Sequence, residues 1–205
     1  MARKAEVVQA NLRGRAGETR GLGSPARQRL LQTATRLFYA EGIHMVGVDR
    51  LAAEAKVTKA TFYRHFPAKD DLVRAYLEEH DQRIRVTVDA LAGRAGSASE
   101  VLTALVTGIE QRIQSPGFRG CAFLNAAAEY PDHDHPVRLV VAAHRRWFRL
   151  FLTQLLRNSR HPRPEPAAAT LMLLLDGAMS AGHVDDPPAR WTASRAGSTW
   201  CSPTS

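Results

Sequence analysis

Residues 42–72, GIHMVGVDRLAAEAKVTKATFYRHFPAKDDL, constrain this chain more than any other stretch. Val48, Leu51, Ala52 and Ala55 recur at helical spacing, which predicts a short helix over about 48–55. Thr58 stands where an N-cap opens another helix, over about 59–65. In that second helix Phe62 and Phe66 can bury on one side while Lys59, Thr61, Tyr63 and Arg64 stay free. Short helices joined by a turn of about 3–4 residues form the helix-turn-helix unit. In its nucleic-acid-binding form the second helix enters the major groove. That arrangement gives Thr58, Lys59, Thr61, Tyr63, Arg64 and His65 a joint purpose, with double-stranded DNA as the expected partner.

The charge distribution points the same way. Residues 1–70 carry 13 Lys and Arg against 6 Asp and Glu, whereas residues 71–205 carry 15 against 14. Almost all of the formal net charge of +8 therefore lies in the third of the chain that holds the motif. A basic face binds nucleic acid through counterion release, and solubility alone gives no reason to localise it. No run of 18 consecutive apolar residues occurs, so no membrane helix is expected. The basic N-terminus lacks the apolar segment of a secretory signal. Cys121 and Cys201 are far apart and make no disulfide framework, so a cytoplasmic location is expected. No G-x-S-x-G, phosphate-binding loop or dinucleotide fingerprint is present. No enzymatic activity, catalytic residue or cofactor is expected.

Residues 1–23, rich in Gly, Arg and Ala, read as a disordered basic arm that either lies along phosphates or does nothing specific. Ser24-Pro25 reads as an N-cap and first helical position, Leu30, Leu31, Ala34, Leu37 and Phe38 as an apolar stripe, and Gly42 as a stop. Helices are expected over about 70–91, 99–114, 119–129, 137–157 and 167–181. The breaks between them fall at residues 93–99, Ser115-Pro116-Gly117, 131–136 and 161–166. No strand pattern appears. The expected fold is all-α: a three-helix helix-turn-helix domain over 24–70, then a larger helical domain over 71–183. Residues 184–205, with Pro187, Pro188 and Pro203 and no apolar period, read as an irregular tail.

Residues 26–72 resemble the TetR family of bacterial transcriptional regulators. The resemblance runs through Leu30 and Leu31 to Leu37-Phe38, Gly42, Leu51-Ala52, Ala55, the run Val57 to Phe66, Lys69 and Leu72. The run from Val57 to Lys69 carries most of its specificity. It implies a homodimeric, ligand-responsive repressor in which residues 71–183 form the effector-binding and dimerisation domain, each recognition helix reads half of a palindromic operator, and a small-molecule effector releases the DNA. It also carries DNA contact onto Lys59, Thr61, Tyr63 and His65, with Lys69 at the start of the fourth helix adding a phosphate contact. Two residues depart from the family pattern: Lys56 stands where the turn usually holds a glycine, and Val46-Gly47 where a hydroxyl side chain is usual. The alternative reading is a ligand-binding or scaffold protein that keeps the fold without stable dimerisation or specific DNA binding.

In the second domain, Phe123, Asn125, Glu129, His144, Trp147, Phe148 and Phe151 are candidates to line an effector cavity, since such a pocket needs aromatic walls and a few polar groups. Core packing predicts the same residues. Leu171, Leu173, Leu174 and Leu175 exceed one helical stripe, which points to a dimer seam or to burial on several sides. Asp132, His133, Asp134 and His135 have the chemistry of metal ligands, but they precede a helix, where such residues cap; no metal is expected. Cys121 reads as a buried structural thiol rather than a redox sensor.

Overall fold

The computed structural model describes residues 24–185. Its described residues form eight helices and no strand: α1 (Pro25–Glu41), α2 (Val48–Glu54), α3 (Lys59–His65), α4 (Lys69–Arg94), α5 (Ala98–Gln114), α6 (Ala122–Glu129), α7 (Pro136–Asn158) and α8 (Pro164–Val184). The expected basic arm and most of the expected tail lie outside the described residues.

Local chemistry sets the helix ends. Ser24 Oγ accepts the Arg27 N–H at 3.3 Å to open α1, and Gly42, at φ 92, closes it with its N–H on the Phe38 carbonyl. At the end of α2, Val57 N–H donates to Ala52 O and Lys56 N–H to Ala53 O, at 3.0 and 3.1 Å. This Schellman turn needs a left-handed residue, and Lys56 supplies it at φ 53. Gly47 caps α2 without a side-chain hydrogen bond.

The core is continuous across the two expected domains. Leu30, Leu37, Leu51 and Phe62 are fully buried among α1–α3. The same cluster runs through Leu72, Val73, Tyr76 and Leu77 of α4 into Phe123 and Ala126 of α6 and Val137 of α7. A second cluster joins Val88, Leu105, Leu152, Leu156, Ala168, Leu171 and Met172. With 26 residues, α4 is roughly 39 Å long and serves both clusters. Each fully buried Leu or Phe contributes about 1.5–3 kcal/mol, so the head is fastened to α4 by more than its linker. At the far end, a Cβ on Gly182 would stand 2.5 Å from Ile113 Cγ2, so glycine permits the close approach of α8 to α5.

Candidate nucleic-acid interface and ligand cavity

The expected DNA-contact residues divide into an exposed face and its joints. Lys59 and Tyr63, four residues apart, share one face of α3, and both are exposed, as is Arg64. Tyr63 stands edge-on to the buried Phe62 ring at 5.3 Å. Lys59 Nζ lies 2.8 Å from Asp49 Oδ1, an exposed pair that solvent screens and a phosphate can replace. That hydrogen bond raises the Lys59 ammonium above its ordinary range. Thr58 Oγ1 caps α3 by accepting the Thr61 N–H at 3.1 Å and donates to Thr61 Oγ1 at 2.9 Å. His65 Nε2 lies 3.1 Å from Ser24 Oγ and ties α3 to the start of α1. Burial, with Arg64 and Arg27 nearby, pushes its imidazole below the usual range. Lys69 opens α4 with its ammonium 6.0 Å over the Phe38 ring. Burial lowers its pKa while Asp70 and Glu129 oppose the shift.

Three contacts bind this head to α6 and the residues on either side of it. The Tyr39 hydroxyl donates to Gly120 O at 3.0 Å and accepts the Arg119 N–H at 2.9 Å. Glu129 accepts the N–H groups of Ile43 and His44 at 2.8 and 2.6 Å, and its Oε2 lies 2.9 Å from His44 Nδ1. Burial works to raise the Glu129 carboxyl, yet these donors hold it below the ordinary value. The Tyr130 hydroxyl donates to Asp70 Oδ1 at 2.7 Å. Glu129 and Asn125, expected to line an effector cavity, are not among the residues that line the cavity among α4–α8. Glu129 is turned to the head, and Asn125 is exposed and bonded to Arg119 O at 2.7 Å.

A cavity of about 440 Å³ lies among α4–α8, within the size range of small-molecule sites. Phe123, His144 and Phe148 line it. Phe123 and His144 stack at 3.7 Å and 5°, and His144 Nδ1 lies 2.7 Å from Asp81 Oδ1. Trp147 and Phe151 fall outside the lining and pack against the second core cluster instead, with the Arg85 guanidinium 4.1 Å from the Trp147 ring. The lining also contains residues that sequence reasoning missed: His80, Arg83, Arg112, Arg145 and Asp176. A signal was there, since Arg83 follows His80 by three positions and Arg112 follows Ile109 by three. Cys121 lines the cavity as well, and burial raises its thiol above the ordinary range, which disfavours a reactive thiolate. In the acidic and histidine run, Asp132 accepts the Asp134 N–H at 2.9 Å, and His135 caps α7 through the Val137 N–H at 3.3 Å while its Nε2 lies 3.3 Å from Asp70 Oδ2.

The α8 leucines also divide. Leu171 is 4% exposed and belongs to the core of its own chain, and the half-buried Leu175 lines the cavity. Leu173 is 72% exposed and Leu174 38%, as are Leu139 and Leu150 of α7 at 56% and 63%. By length and composition α8, with mean hydropathy 1.3, is apolar enough to cross a membrane, although the chain holds no run of 18 consecutive apolar residues. It carries Asp176, held by Arg145 through bonds of 3.0 and 2.7 Å.

Comparison with known proteins places these features. Residues 30–76 match the profile of the bacterial regulatory proteins of the tetR family. The crystal structure of SCO4454, a TetR-family transcriptional regulator from Streptomyces coelicolor, superposes with a TM-score of 0.83 at 50% identity, covering 87% of this chain and 94% of that one. The transcriptional repressor NemR of Escherichia coli is 27% identical over 136 residues, 65% of this chain and 68% of NemR. The transcriptional activator FasR of Mycolicibacterium smegmatis is 34% identical over 84 residues, 36% of this chain and 38% of FasR. A helix-turn-helix head with an exposed basic and aromatic helix, an all-helical body and a half-identical relative covered almost end to end lead to one conclusion: the chain belongs to the TetR family of DNA-binding transcriptional regulators.

Proposed function

We propose that this regulator is a cytoplasmic, homodimeric repressor that holds a palindromic operator until a small molecule enters the cavity among α4–α8. The observation that carries this reading is the mechanical continuity of the chain. One end of α6 borders the cavity through Ala122 and Phe123, and the other grips the head through Glu129 and Tyr130. In this reading Tyr63, Arg64 and Thr61 face the major groove. Lys59 and Lys69 take phosphates, and Thr58 and His65 fix the pose of α3. The exposed Leu139, Leu150, Leu173 and Leu174 supply the apolar face that a second copy covers. Removing that face from water also explains why so apolar a helix as α8 has only 28% of its apolar window buried within one chain.

The test is a Leu150→Glu, Leu173→Glu double variant compared with wild type by light scattering and operator titration. Wild type is expected to be a dimer, and the variant a folded monomer whose operator affinity falls about 100-fold, the lower end of what bivalency contributes. A wild-type monomer would instead favour the scaffold reading. A variant that stays dimeric would move the interface elsewhere.

A further inference from the structure

The charges lining the cavity do not balance. Three arginines, Arg83, Arg112 and Arg145, and one aspartate, Asp176, contribute to it. Asp176 is fully occupied by Arg145. Asp81, close by on α4, is held by Arg85 at 2.6 Å and by His144 at 2.7 Å. Among the described residues neither Arg83 nor Arg112 pairs with a carboxylate. Both are exposed side chains at the edge of the cavity. Their fields converge on His80 in the same wall: after burial, Arg112 and Arg83 are the next largest causes that push its imidazole down to about 4. His80 is therefore neutral at pH 7 and adds no charge. Most of the remaining wall is apolar, including Ile84, Val88, Leu105, Phe148 and Met172.

A neutral ligand would make no use of the two guanidiniums, and a cation would be repelled by them. A small inorganic anion would leave the apolar wall unfilled. We propose that the effector is an organic monocarboxylate with an extended apolar body, its carboxylate held by Arg83 and Arg112 and its body lying among Ile84, Leu105 and Phe148. Planar guanidinium groups suit carboxylates because two N–H donors meet two oxygens. This assignment rests on the cavity being the effector site. It also names a route to the DNA-binding head. The Arg112 guanidinium lies 5.6 Å over the Tyr39 ring, and the Tyr39 hydroxyl holds Gly120 and Arg119. A carboxylate that draws Arg112 off that ring loosens the seat of α1 on the segment before α6.

The experiment titrates the full-length protein with octanoate, 1-octanol and octylamine by calorimetry, for wild type and for the Arg83→Gln, Arg112→Gln double variant. Octanoate is expected to bind wild type at least about tenfold tighter than either other probe, a factor typical of one charge-assisted contact. In the double variant octanoate should fall to the level of 1-octanol. Octanol or octylamine binding wild type as tightly as octanoate overturns the assignment, and so does failure of all three to bind. Octanoate retaining its advantage in the variant also overturns it. Operator binding is followed on the same samples by fluorescence anisotropy, using the genomic fragment that the protein selects. Operator bound but unmoved by octanoate refutes the carboxylate alone. Absence of operator binding before any ligand is added refutes the regulator reading beneath it.

Discussion

Lys56 holds a left-handed conformation, φ 53, in the turn between α2 and α3. Its Cβ there crowds the following carbonyl, at a cost of about 1 kcal/mol that glycine avoids. Lys56→Gly should therefore stabilise the protein by about 0.5–1 kcal/mol, after allowing for the greater freedom of glycine in the unfolded chain. The gain should appear as a rise of roughly 1–4 °C in Tm for a chain of this size. An unchanged or lower Tm would mean that the turn tolerates lysine without strain. The left-handed turn here was legible through the family resemblance, in which a glycine usually stands where this chain has Lys56. The roles of Glu129 and Asn125 were not. Helical spacing tells which face a polar residue occupies but not which neighbour covers that face, and α6 turns Glu129 to the head rather than to the cavity. For the same reason Lys59 and Tyr63 read correctly as exposed, whereas His65 is partly occupied by Ser24.

Among the elements, α6 has the most to carry for its length, eight residues. Its first residues border the cavity and its last one satisfies two backbone N–H groups between α1 and α2. Glu129→Ala leaves those N–H groups without their acceptor, and hydrogen bonds to a charged group contribute about 1.5–3 kcal/mol. Urea unfolding should show a loss of about 2–3 kcal/mol, and operator release should need more effector or cease to respond to it. An unchanged unfolding midpoint would remove Glu129 as the joint. Helix ends were legible at Ser24, Gly42 and Thr58, which mark observed boundaries, and to within one residue at Pro136. The start of α6 was not. It begins at Ala122 rather than near 119, because Gly120 adopts φ 78 and breaks the helical path. At α8 the helix begins at Pro164 rather than near 167, since Pro164 and Pro166 fall in the first turn, where a missing N–H costs little.

For the whole molecule, the continuous core from α1 to α7 means that the head and body share stability. That stability should depend on pH through two histidines. Burial pushes His80 down to about 4, and His144 is also lowered, with Asp81 opposing the shift. An unfolded histidine titrates near 6.5, so between about 6.5 and 4 the unfolded chain binds more protons than the folded one. Stability is therefore full above that window and is lost as pH falls through it. Thermal melts should show Tm falling steadily from pH 7 to 5, with a shallower slope in His80→Gln. Equal slopes in the two proteins would mean that His80 titrates normally.

The most direct test of DNA recognition through α3 is selection of genomic fragments by the purified protein, with Tyr63→Ala run in parallel. Tyr63 is the exposed aromatic side chain of that face, and its removal leaves Phe62 and the core in place. Wild type should recover one palindromic sequence, and Tyr63→Ala should recover it weakly or not at all. If wild type enriches nothing beyond what the variant enriches, the exposed face of α3 does not read DNA, and the chain keeps the family fold without that function.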